Sequence, residues 1–153
     1  MPIEYQNIDT AERAKAHTVA TGYGDMGSLS DADAIAAERT AVVLGLRRAF
    51  LDAHAASADP DADAFAATRD ALDGTIAEAQ ATRDRIVTAT GADVSGVADP
   101  ILQVNRTKAE QDHFDADWRA NNVPDLSQDS LDECQLICDR AEREVGVIDG
   151  WGA

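Results

Sequence analysis

Glu110 and His113 stand three apart in the run Glu110-Gln-Asp-His113, the spacing that places two ligands on one helix face in carboxylate-bridged di-iron bundles. Such a centre needs a second Glu-x-x-His and two further inward glutamates. The other histidines, His17 and His54, have Ala14 and Leu51 three residues before them, so there is no second copy. Asp59, Asp61 and Asp63 match the opening ligands of a calcium loop, and Asp70 falls at its twelfth position. The sixth position, where that loop turns on glycine, holds Ala64. Gly22-Tyr-Gly24-Asp-Met-Gly27 has the spelling of a dinucleotide-binding loop, whose chemistry needs a preceding strand and a following helix N-terminus so that backbone amides meet a pyrophosphate. Helical sequence precedes it instead, and Asp25 would repel the phosphate. What remains is a contact loop, on which Tyr23 and Met26 are candidate partner-binding residues. Cys134 and Cys138 lie four apart, with no paired hooks for zinc and poor disulfide geometry on adjacent turns of one helix. They read as reduced thiols acting as small hydrophobes. No Gly-x-Ser-x-Gly elbow is present. The sequence therefore assigns no catalytic residue, no cofactor and no metal ligand, and the chain is expected not to be an enzyme.

Arg47, Arg48, Arg83 and Arg85 form the main basic cluster, suited to pairing with the chain's own acidic surface or to docking an acidic neighbour. They are scarce charges in this chain. Over 153 residues the net charge is −16, carried by 21 Asp and 8 Glu against 11 Arg and 2 Lys. There are 30 Ala, whereas Leu, Ile, Val and Phe together number only 30, a proportion at the compositional edge of disorder. Phosphate neutralisation needs clustered cations, so specific nucleic-acid binding is not expected. No apolar run approaches the ~20 residues of a membrane span. Met1 to Thr10 lacks the basic start and apolar stretch of a signal peptide, so a soluble protein outside the usual secretory route is expected. Asp in excess, Arg in place of Lys and Ala in place of large aliphatics resemble the proteins of salt-in haloarchaea. At molar salt the Debye length falls to ~3 Å, and a dense acidic coat is screened and kept hydrated.

The elements that must position these residues are punctuated clearly. Asp9 with Glu12 opens a short helix from Thr10 to about Ala20, and residues 21–29 form a glycine-rich loop. Ser30 caps a long helix with Ile35, Val42, Val43, Leu46 and Phe50 at helical spacing, running to about Ser57. Asp59 and Pro60 start a second, carried by Phe65, Leu72, Ile76, Ala79, Arg83 and Ile86 and stopped by Gly91. Two helices of this length, each roughly 42 Å at 1.5 Å per residue, joined by a tight turn, fold back as an antiparallel hairpin over about residues 30–89. Asp99 and Pro100 open a third through Ile101, Val104, Lys108 and Phe114 to about Ala120. Ser127 or Asp129 caps a fourth, with Leu131, Cys134, Cys138, Ala141 and Val145 as its stripe and Ile137 beside it. Gly146 is expected to end it. The expectation is an all-α fold: residues 1–146 as one helical bundle built on the hairpin with shorter flanking helices, and 147–153 as an extended C-terminal docking tail presenting Val147, Ile148 and Trp151.

A small all-helical chain with a long hairpin and an apolar tail resembles the head-to-tail connector (adaptor) subunits of tailed double-stranded DNA viruses. The residues carrying this likeness are the hairpin from Ser30 to Ala89 and the tail from Val147 to Ala153 with Trp151. The resemblance implies a homo-oligomeric ring beneath the portal, a terminal arm reaching the portal, loops receiving the next tail or neck protein, and a location in the virion neck. The departure is about 30 residues ahead of the hairpin, where adaptor helices usually begin almost at once. The alternatives are a helical-bundle interaction or regulatory module of the haloarchaeal cytoplasm, or another virion component.

Overall fold

The computed structural model describes residues 28–152, which are all-α: helices α1 (Asp31–Ala55), α2 (Ala62–Thr90), α3 (Ala98–Asn122) and α4 (Gln128–Asp149), with no strand among the described residues. The helix expected over Thr10 to Ala20, and Tyr23 and Met26, lie outside the described residues. Two compact units are distinguished. One holds the described residues up to Arg48 together with Arg69–Ile101; the other holds Ala49–Thr68 together with the chain from Leu102 onward.

In the first unit, Ser30 caps α1 as its type predicts. The Asp33 carboxylate accepts from the Ser30 backbone N–H at 2.7 Å and from its hydroxyl at 3.0 Å, the reciprocal arm of a capping box. Along α1, Ala41, Val42, Val43 and Leu44 are all buried, and four successive residues at ~100° each sweep most of the helix circumference. Ile35, expected in the core, is 37% exposed. The buried residues of the first turns are Ala34, Ala36 and Ala37, and Ala34 and Ala37 pack with Ile86 of α2, half-buried Val87 and the following Ala92 and Val94. Alanine is chosen there over isoleucine because its small side chain lets two helices approach closely. Two ion pairs fix the antiparallel register of α1 and α2, Arg83 Nη1 to Glu38 at 3.3 Å and Arg48 Nε to Asp73 at 2.6 Å. Each pair is symmetric about the Pro60–Asp61 peptide, as a hairpin turning there requires. The buried Thr82 hydroxyl donates to the Glu78 carbonyl one turn back, so burial leaves it satisfied. Gly91 ends α2 with φ +68°, a left-handed conformation that glycine adopts freely.

The second unit contains the turn end of the hairpin, most of α3, and α4. α3 begins at Ala98, so Asp99 and Pro100 lie within its first turn, where a missing N–H costs nothing. Ser127 is the N-cap of α4, its hydroxyl accepting from Ser130 N at 3.1 Å. The expected end of α4 is corrected: the helix passes through Gly146 and closes at Asp149, with Gly150 as C-cap. A glycine inside a helix costs about 1 kcal/mol. Burial of Ile148 and the contact of Asp149 with Arg106 (3.1 Å) oppose that cost. Val147 and Ile148 are therefore the last turn of a helix and not part of an extended tail. The buried residues of α4, Cys134, Ala141 and Ile148, recur every seven positions and face an α3 whose buried residues are Ala109 and Ala116, also seven apart. Apart from Ile148 at its end, the seam is made by small residues on both sides.

The face of α3 expected to be buried is corrected as well. Val104 and Phe114 are 69% and 63% exposed. The helix is apolar on two sides, and the alanine side is the one that packs.

Candidate functional site

Asp59 sits in the turn between α1 and α2, and its Oδ1 accepts from the Asp61 N–H at 2.9 Å in an Asx turn. Its side chain is fully buried. From α4, Arg140 grips it with two donors, Nε to Oδ2 at 2.6 Å and Nη2 to Oδ1 at 2.8 Å, and Arg143 Nη2 adds a third at 3.0 Å to Oδ2. Each carboxylate oxygen thus accepts two hydrogen bonds, which fills its lone-pair capacity. The Arg140 hydrogen bond foremost, with the Asp61 amide and the two guanidinium charges, holds the Asp59 carboxyl far below the usual carboxylate range against the opposing effect of burial. Arg140 also reaches Asp61 at 2.7 Å and lies 5.2 Å over the Phe65 ring, so its charge is neutralised and stacked together. Its own pKa is raised, chiefly by the bond to Asp59.

His54, near the end of α1, completes the cluster. It is buried, its ring centroid is 5.1 Å from that of Phe65, Arg143 Nε is 3.0 Å from its Nδ1, and Glu144 is 3.7 Å from its Nε2. The Asp59 carboxylate is spent on Arg140, Arg143 and the Asp61 N–H, and its buried side chain is held by them. The arrangement is a clamp joining the hairpin turn to α4. Among the described residues no group of three or more His, Cys, Asp or Glu could hold a metal ion.

The residues singled out by spacing are placed apart. Glu110 is bonded to Arg106, and His113 Nε2 lies 3.1 Å from Glu142 across the α3–α4 seam, so the Glu-x-x-His pair is divided between two neighbours. Cys134 and Cys138 are free thiols, Cys134 buried and Cys138 donating weakly to the His113 carbonyl at 3.8 Å. Burial first, then the nearby carboxylates of Asp117 and Glu142, pushes the Cys138 thiol upward, which suits a packing role. In the basic cluster, Arg83 pairs with Glu38 and Asp84, and Arg48 with Asp73. Arg85 is exposed and also engaged, whereas Arg47 Nε is buried with no hydrogen-bond partner among the described residues. Trp151 is half-buried just beyond α4, its backbone N–H donating to the Ile148 carbonyl at 3.1 Å.

Spacing arguments overlooked two features. Arg140 and Arg143, three apart on one face of α4, are the partners of Asp59, and their only sequence signal is that spacing. Trp118, 53% exposed, joins Val104 and Phe114 on the side of α3 opposite Ala109 and Ala116. At ~100° per residue these three large side chains fall within about an 80° sector. Beside them a groove of about 460 Å³ runs between α3 and α4, with Ala116, Cys134 and Ile137 below and Lys108, Asp115 and Arg119 along its edge. No helix among the described residues is long and apolar enough to cross a membrane. Comparison with protein-family models, with curated proteins and with solved structures finds no match to this chain.

Proposed function

We propose that this chain is a structural assembly protein that works by presenting helix faces to other protein chains, in the form of a head-to-tail connector (adaptor) subunit of a haloarchaeal tailed virus, ringed beneath the portal. The observation that carries the assembly reading is the outer face of α3, where Val104, Phe114 and Trp118 stand in solvent on a helix whose other side is already packed. Solvated large aromatics on one helix face are what a protein contact buries, and Trp is the residue most enriched among interface anchors. The clamp at Asp59 supports a mechanical role, since it fixes the turn of the hairpin to α4 through a fully buried carboxylate. The long hairpin and the acidic, alanine-rich composition supply the connector form and its saline setting. A second reading, a small haloarchaeal interaction module that acts as a dimer, is favoured by the pattern of charges flanking that same face.

Size-exclusion chromatography with light scattering in 2 M KCl separates them. A closed ring, or copurification with a portal, is the expected result for the connector. A dimer gives the module, and a strict monomer that binds no virion protein overturns the assembly reading.

A further inference from the structure

We propose that the outer face of α3 binds a second copy of this chain, the two α3 helices lying antiparallel across a two-fold axis at Gln111. The inference rests on the assembly reading and names one of its contacts. Val104 and Trp118 stand seven residues before and after Gln111, so an antiparallel copy sets Val104 against the partner's Trp118 at both ends of the contact.

The charges beside the stripe choose the occupant. In an antiparallel two-fold pair each flank of a helix meets the same flank of its partner. The flank shared by Lys108 and Asp115 therefore brings opposite charges together twice, each Lys108 beside the partner's Asp115. Among the described residues both groups are bonded along their own helix, Lys108 to Asp112 at 3.2 Å and Asp115 to Gln111 at 2.8 Å. Molar salt leaves such an exposed pair little strength, so it sets the register of the contact more than its affinity. The three apolar side chains leave roughly 350 Å² uncovered on each copy, at ~150–250 Å² for a whole aromatic side chain. Two such faces with their flanks reach the low end of specific interfaces, which makes this a weak, concentration-dependent contact. Being isologous, it closes at two copies.

Sedimentation equilibrium in 2 M KCl from 10 to 500 µM tests it, with Trp118→Glu and with Asp115→Lys alone and combined with Lys108→Asp. Expected are a dissociation constant raised at least tenfold by Trp118→Glu with the thermal melt unchanged, a smaller weakening by Asp115→Lys, and recovery in the double variant. Gln111→Cys treated with copper phenanthroline should give a covalent dimer that the unmodified chain does not. A wild-type chain without this dimer at 500 µM, a Trp118→Glu variant of wild-type size, or a Gln111→Cys chain that fails to link overturns the pairing. A ring indifferent to Trp118→Glu leaves the connector standing and removes this contact; a dimer lost with Trp118 does the reverse.

Discussion

The Nε of Arg143 lies 3.0 Å from Nδ1 of His54. A guanidinium can only donate, so Nδ1 must be the bare acceptor nitrogen and the ring carries its proton on Nε2, facing Glu144. Imidazole ¹⁵N chemical shifts should show His54 as the neutral Nε2–H tautomer in the folded protein at pH 8. A protonated Nδ1 would mean that Arg143 is turned elsewhere and the clamp holds one arginine fewer.

Asp59→Asn keeps the shape of the side chain and removes the charge that two guanidiniums share. Breaking a buried pair leaves uncompensated charge, and about 3 kcal/mol of stability at pH 7 should be lost. The pH dependence has a definite sign. An ordinary carboxyl in the unfolded chain titrates near ~3.9, and in the folded chain Asp59 is held far below that value, so its contribution is complete above about pH 5 and is lost as the pH falls below ~4. The difference in melting temperature between wild type and Asp59→Asn should be flat from pH 5 to 8 and shrink below pH 4. A difference that grows on acidification would contradict the clamp.

Net charge −16 makes folding a function of salt. Carboxylates ~10 Å apart repel across 0.1 M salt and hardly at all across 2 M. Helical circular dichroism and the melting temperature should both rise between 0.1 and 2 M KCl, and a flat response would set the halophilic reading aside.

Leu46 is fully buried on α1, whereas Leu72 on α2 is only half-buried. Leu46→Ala should therefore cost about 2–5 kcal/mol and Leu72→Ala clearly less. Denaturant titrations in 2 M KCl measure both, and equal losses would place the two residues in one core.

Ile148 tests the end of α4. It is buried in its own chain, so Ile148→Ala should lower the melt of the isolated subunit by about 2 kcal/mol of stability, while removal of residues 151–153 should lower it little. An unchanged melt with lost assembly would return Ile148 to the docking role that a helix ending at Gly146 would have given it.

The order and type of the elements were legible in the sequence because they depend on local chemistry. Asp33 and Ser127 supply the accepting cap oxygens, Pro60 and Pro124 interrupt, and Gly91 takes a left-handed turn; none of these needs a distant partner. Even the antiparallel hairpin follows locally, from two long helices and a short turn. The stripes read on α1, α2 and α4 supply buried residues such as Leu46, Ile86 and Cys134, whereas the face of α3 that packs was decided by the tertiary structure alone. On α3 the large residues Val104, Phe114 and Trp118 outweigh Ala109 and Ala116 in any hydrophobic count, yet the alanines are buried, on the side that meets the small Cys134 and Ala141 of α4. With 30 alanines in the chain, a stripe of them carries no visible signal. Gly146 likewise looks like a stop, and only the burial of Ile148 beyond it shows why the helix continues. The clamp was hidden for the same reason: Asp59 and Arg140 are 81 residues apart, and a charge pair at that separation exists only once the turn and α4 have been brought together.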